Sequence, residues 1–296
     1  MSLAAQLPLL GLAVFVGGTP HGALDHRVAR GLLEPVLGRG WLGAFLLLYL
    51  TAAGAMLLWW LAAPGPALAA FLILATVHFG SHDSPSGAPV AVLARGAIPP
   101  IAAAAAHREE LTTIFGWLAG EQGAALVPWL AGPGLIVWLC AAVVTLAIER
   151  EAIGRLELIG VTALFLFLPP LLAFAAYFAL LHSPRALRSS LLPGETVPQL
   201  LKAALPFSVA AVALAALGYG LLRQELAADA AFVRTVFWWL AALTVPHMGL
   251  HLLNARRAAQ AAPQTTKKSA AVKLRSLPAT VANSSCAAPP APSGSK

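Results

Sequence analysis

From Trp41 to Ala63, and again from Ala203 to Leu222, the chain carries no charged side chain at all. An α-helix rises 1.5 Å per residue, so each run is long enough to cross the roughly 30 Å hydrocarbon core of a bilayer. Composition agrees: 10% of the 296 residues are charged and 59% hydrophobic, with a mean hydropathy of +0.78. A soluble domain carries roughly 25% charged residues. The expected fold is therefore all-α, a polytopic integral membrane bundle of about eight segments, with spans near 3–20, 41–62, 66–82, 88–106, 128–148, 156–182, 204–222 and 231–253.

Pro20, Pro99-Pro100, Pro169-Pro170 and Pro246 lie in or beside these spans. In lipid such breaks survive only where neighbouring helices or polar groups satisfy the freed carbonyls, so several are expected to line an interior cavity. The segment 107–127 is too polar to span and reads as an interfacial helix or loop. The N-terminus lacks a basic flank and reads as a retained first span rather than a cleaved signal. Cys140 and Cys286 lie in a hydrophobic run and in the tail, which is no disulfide framework.

The net charge of +7 belongs to the C-terminus. Arg256, Arg257, Lys267, Lys268, Lys273, Arg275 and Lys296 stand there without an acidic partner, in a stretch rich in Ala, Pro, Ser and Thr. The expected organisation is a membrane-embedded catalytic domain, 1–255, and a disordered basic cytoplasmic tail, 256–296. Nothing in this pattern suggests nucleic-acid recognition. Arg27, Arg30, Arg39, Arg150, Arg155, Arg185, Arg188 and Lys202 lie in short loops. The positive-inside rule then sets the N-terminus outside and the tail in the cytoplasm of a multi-pass cell-membrane protein.

That rule meets a parity conflict. His21 and His78 end the first and third spans, at the cytoplasmic face. If 156–182 were one helix, His182, Arg185 and Arg188 would fall on the opposite face. A reversal at Pro169-Pro170, or an extra partial crossing in 107–127, returns every histidine motif and basic loop to one side. The proline break is the preferred resolution because it reconciles both signals.

Seven of the eight histidines fall in four clusters: Pro20-His-Gly-Ala-Leu-Asp-His26, His78-Phe-Gly-Ser-His-Asp83, Leu181-His-Ser-Pro-Arg185 and Val245-Pro-His-Met-Gly-Leu-His251. Neutral imidazole is the commonest metal ligand, and ionisable groups inside a membrane are costly and usually functional. His78 and His82 are four residues apart, as are His247 and His251, so each pair shares a helix face. Asp25 and Asp83 can accept the second ring N–H of a ligating histidine. A lone histidine at a span end is usually interfacial, as His107 is expected to be. Four clusters at one face point to a shared metal or proton-handling site, with His26, His82 and His251 open between ligand, supporting group and bystander.

These motifs, in this order over residues about 10 to 255, resemble the Brp/Blh family of bacterial and archaeal β-carotene 15,15′-dioxygenases. The resemblance implies an Fe(2+)-dependent enzyme that cleaves the central double bond of β-carotene, or a related carotenoid, with O2 to give two molecules of retinal. On it, His21 and His78 match iron ligands and His182 matches the first histidine of a third motif. That motif often has another histidine one turn later, where this chain has Ala186. His247 is the substitute candidate for the missing ligand, with His251 behind it. Three alternatives stand beside this: a histidine-lined divalent-metal or proton transporter, a histidine-box desaturase or hydroxylase, and a non-catalytic accessory factor of a retinal protein. No His-His pair of the second kind occurs.

Overall fold

The computed structural model describes residues 1–84 and 86–275, with side chains as far as residue 260. All regular structure in the described residues is helical. In chain order the helices are α1 (Leu3–Gly11), α2 (Thr19–Gly22), α3 (Asp25–Leu37), α4 (Trp41–Ala62), α5 (Pro64–Asp83), α6 (Pro89–Gly96), α7 (Ile98–Ala106) and α8 (Arg108–Ala124). Then follow α9 (Leu126–Trp129), α10 (Leu135–Ile148), α11 (Ala152–Phe167), α12 (Pro170–Tyr177), α13 (Ser183–Ser189), α14 (Val197–Leu222) and α15 (Ala228–Arg275). Short π-helical stretches join α1 to α2 (Leu12–Gly18), α9 to α10 (Leu130–Gly134) and α12 to α13 (Phe178–His182).

Five helical runs among the described residues are long and apolar enough to cross a membrane, and six if α6 and α7, bent by 46°, count as one broken span. The protein is a polytopic helical membrane protein. Its chain divides into two units, residues 1–250 and 251–296. Within the second, α15 continues to Arg275. Of the tail expected from residue 256, residues 276–296 lie outside the described residues.

The candidate span 156–182 is broken at the proline pair into two helices. Helix α11 stops at Phe167, the chain extends through Leu168 and Pro169, and α12 starts at Pro170. Proline forces its predecessor out of helical geometry and itself suits the first helical turn, so a Pro-Pro step both ends one helix and begins another. Arg185 donates to Glu157 at 2.8 and 3.0 Å, and Phe165 meets Tyr177 edge-on at 6.0 Å. Each step forward along α11 is thus matched by a step back along α12–α13, the register of an antiparallel hairpin. The chain reverses at the proline pair.

The returning arm packs alongside α1. Leu172 N–H donates to Gln6 Oε1 at 3.3 Å, and Ser183 Oγ donates to the Gly17 carbonyl. Both pairs are offset by 166 residues, so the segments run parallel and bring His21 and His182 to one end. Gln6 is fully buried, and its side chain meets an amide in the first turn of α12 that has no partner within its own helix. The Gln6 amide also donates to Glu110, which ties α8 to the end of the bundle away from the histidines. Gln122, at the far end of α8, packs on Gly65 at that same end of α5. Helix α8 therefore lies across this end and is broken at Ala119-Gly120, where Gly120 takes a φ of +62°.

Helices α5 and α6 touch backbone to backbone. A Cβ on Gly80 would strike the Val92 carbonyl, and one on Gly96 would strike the Thr76 carbonyl. Small residues allow this approach, on which packing between helices in lipid depends. Trp138 of α10 donates to the Ala94 carbonyl at 2.8 Å. Arg95, almost wholly buried, holds the Gly154 carbonyl at 3.0 Å, Glu149 at 3.3 Å and Glu157 at 3.4 Å. Those bonds fix the α10–α11 connection at the histidine end.

Candidate metal centre

Four helical segments carry histidines to one point. His21 lies in α2, His78 and His82 one turn apart in α5, His182 at the end of a π-helical stretch and His247 in α15. Prolines shape two of these placements. Pro20 cannot donate an N–H, and the Thr19 hydroxyl instead bonds the Phe15 carbonyl at 2.5 Å and the Val14 carbonyl at 3.2 Å. Pro184 stands just after His182 in the same way. Losing a helical donor favours a wider turn, and one extra residue per turn rotates everything beyond it by about 100°. The π-helical stretches before His21 and at His182 are therefore part of how these rings are aimed.

The rings pack closely. The His21 ring centroid is 5.0 Å from His247, 5.7 Å from His182 and 6.0 Å from His78, with which it is stacked. His78 is 5.1 Å from His247 and 5.2 Å from His182. His82 is 5.1 Å from His78 and 5.5 Å from His182. One ring nitrogen each from His21, His78 and His247 lies within 4.8 Å of the others. His182 is fully buried just beyond this trio.

The hydrogen-bond pattern tests what such a set would hold. Neither ring nitrogen of His21 or of His182 has a protein partner, although all four are buried. An unmet buried polar group costs about 1–3 kcal/mol. Convergent, buried, unpaired imidazole nitrogens are what a bound cation satisfies, and a neutral nitrogen set suits iron, zinc or copper. The residues present fit a metal ion.

Two aspartates stand behind the rings, each with a tyrosine. His247 Nδ1 donates to Asp25 Oδ1 at 2.8 Å, which places its proton there and turns Nε2 towards the cluster. Tyr49 donates to Asp25 Oδ2 at 3.0 Å. On the other side Tyr177 donates to Asp83, whose other oxygen accepts from Arg185 at 2.8 Å. Asp83 Oδ1 is 3.9 Å from His182 Nδ1, beyond hydrogen-bond length but close enough for attraction. At the loop end of this network Arg185 is held above its ordinary pKa, first by its bond to Glu157.

Among the other expected site residues, His26 is turned to its own turn and to α14. His26 Nδ1 donates to the Ala23 carbonyl at 2.7 Å and its ring stacks on Phe207 at 4.7 Å. His251 is exposed and belongs to the second unit. Ala186, one turn after His182, is buried and carries no ligand atom. Sequence reasoning gave no hydrogen-bonding role to Tyr49 or Tyr177. The signal was there, since both sit in otherwise apolar spans, where a hydroxyl must find a partner.

A cavity of about 280 Å³ opens onto His21, His78 and His247. Its walls are apolar apart from those rings, Tyr49, Thr19 and Thr244. It follows α15 from His247 to Trp239 and α4 from Phe45 to Ala53, eight residues or about 12 Å along each. The histidines thus cap one end of an elongated chamber with apolar walls.

Comparison with known proteins supplies independent findings. A protein-family model described as beta-carotene 15,15′-dioxygenase matches residues 12–253. A beta-carotene 15,15′-dioxygenase of an uncultured marine bacterium, 66A03, is 31% identical over 252 residues, covering 81% of this chain and 90% of that protein. A probable beta-carotene 15,15′-dioxygenase of Halobacterium salinarum is 26% identical over 227 residues, covering 67% of this chain and 65% of that one. No solved structure matches the chain.

Proposed function

This chain belongs to the beta-carotene 15,15′-dioxygenase family, and from that premise we propose that it cleaves the central double bond of β-carotene, or of a closely related carotenoid, with O2 to give two molecules of retinal. The observation that carries the reading is the histidine cluster at the mouth of an apolar chamber. In this proposal Fe(2+) is held by His21, His78, His182 and His247, so that His247 takes the place of the ligand absent at Ala186. Asp25 orients His247, and Asp83 steadies His182 from the other side.

Ferrous iron, when bound, supplies the site at which O2 is activated. The chain supplies position. Phe45, Phe71, Phe79, Phe207 and Trp239 line a chamber that takes a hydrocarbon and excludes water. The one double bond that reaches the histidine end is the one presented for cleavage, with no acid or base needed to choose it. The balance closes without another reductant: one C=C bond breaks, one O2 is consumed, and each freed carbon becomes an aldehyde. A transporter would need polar groups to continue beyond the histidines. Instead they give way to the apolar chamber walls, which favours the enzyme.

The site is proposed to face the cytoplasm in a cell-membrane protein, with the N-terminus outside. Arg27, Arg155 and Arg185 lie at the histidine end, while Arg108 begins the helix across the other. The test is expression in a bacterium that accumulates β-carotene. Retinal should form, and should vanish with His21→Ala or His78→Ala. Unchanged carotene with a folded, iron-loaded protein would sink the reading.

A further inference from the structure

The four-histidine site leaves one member of the cluster without a task. His82 is one turn beyond His78 on α5, with ring centroids 5.1, 5.5 and 6.3 Å from His78, His182 and His21. Two features together set it apart. It is half-buried, as is His21, whereas His78, His182 and His247 are buried. Unlike His21, it lies off the chamber, whose walls include His21, His78 and His247 but neither His82 nor His182.

The cluster therefore has an apolar side and a polar side. The apolar side is the chamber. On the other side are the end of α5, with Ser81 exposed, and the Asp83–Arg185–Glu157 network, part of which is exposed. A divalent ion arriving from water cannot cross the apolar chamber without losing its hydration uncompensated, a cost of many kcal/mol. It can pass along the polar side, where His82 is the half-exposed imidazole that also touches two of the ligands.

We propose that His82 is the entry ligand of the metal centre: it binds the incoming divalent cation first and hands it inward to His78 and His182 by exchange of one neutral imidazole for another. This rests on the four-histidine reading. It gives His82 a role in the rate of loading and none in the finished site.

The test follows Co2+ loading of the metal-free full-length protein in detergent, anaerobically, by the ligand-field absorption of the bound ion. With His82→Ala and His82→Gln the loading rate should fall by about tenfold or more, the effect of a barrier raised by ~1.4 kcal/mol. The final affinity should move by less than about twofold, short of the 10–100-fold that losing a supporting group costs, and the absorption spectrum should not change. Retained affinity also shows that the variants are folded. Loading at the wild-type rate would overturn the proposal, and so would a large loss of affinity or an altered spectrum, which would make His82 a ligand. A wild-type protein that binds no Co2+, or that binds it as well after His247→Ala, would instead overturn the four-histidine reading beneath it.

Discussion

Asp25 accepts from His247 and from Tyr49 at once, so the first residue of α3 governs a side chain more than two hundred positions later. A carboxylate behind a ligating imidazole fixes its tautomer and strengthens its donation. Asp25→Asn should accordingly weaken Fe(2+) binding by 10–100-fold in a metal titration, with the fold intact. Tyr49→Phe removes one hydrogen bond, worth about 1 kcal/mol, and should weaken binding by about fivefold. Affinity unchanged by either substitution would show that His247 is not held for a metal. Asp25 and Asp83 stood out because each sits within a few residues of a histidine, although the rings they face, those of His247 and His182, lie far off in the sequence. The tyrosines did not, because they lie far off in sequence and only tertiary contact reveals which carboxylate each meets. His26, left open in the sequence between ligand, supporting group and bystander, turns its ring to the Ala23 carbonyl and Phe207.

Between α11 and α12 a two-residue signal decides which side of the membrane half the site occupies. With Pro169 and Pro170 both changed to Ala, the two helices can fuse. Labelling of a cysteine introduced at Ser190 by a membrane-impermeant thiol reagent should then appear from the opposite side, and metal binding should be lost. Labelling from the unchanged side would mean that packing against α1, not the prolines, turns the chain. At the α5–α6 contact, Gly96→Ala places a methyl against the Thr76 carbonyl. Overpacking of this kind costs about 1–3 kcal/mol, and thermal unfolding in detergent should register it as an earlier melt. The proline break was legible because parity demanded a reversal somewhere. The π-helical turns before His21 and at His182 were not, since a widened turn depends on which carbonyls the neighbouring helices leave unpaired, and no local residue pattern records that.

For the molecule as a whole, the arrangement joins three things that are separate in the sequence: a bilayer-embedded bundle, an all-nitrogen donor cluster at one end, and a hydrocarbon-lined chamber leading to it. The helical membrane fold and the convergence of four histidine motifs could be read from hydropathy and spacing alone. The chamber could not, because an aromatic ring that lines a cavity and one that faces lipid look the same in a one-dimensional pattern. In the proposed reading this chamber presents the middle of a carotenoid to the histidine centre, and product stoichiometry is the measurement that decides it. Purified, Fe(2+)-loaded protein supplied with β-carotene in detergent should consume one O2 for each β-carotene and yield two molecules of retinal, with none formed by His21→Ala or His78→Ala. Shorter or longer apocarotenals in place of retinal, or retinal formed equally well by those variants, would contradict it.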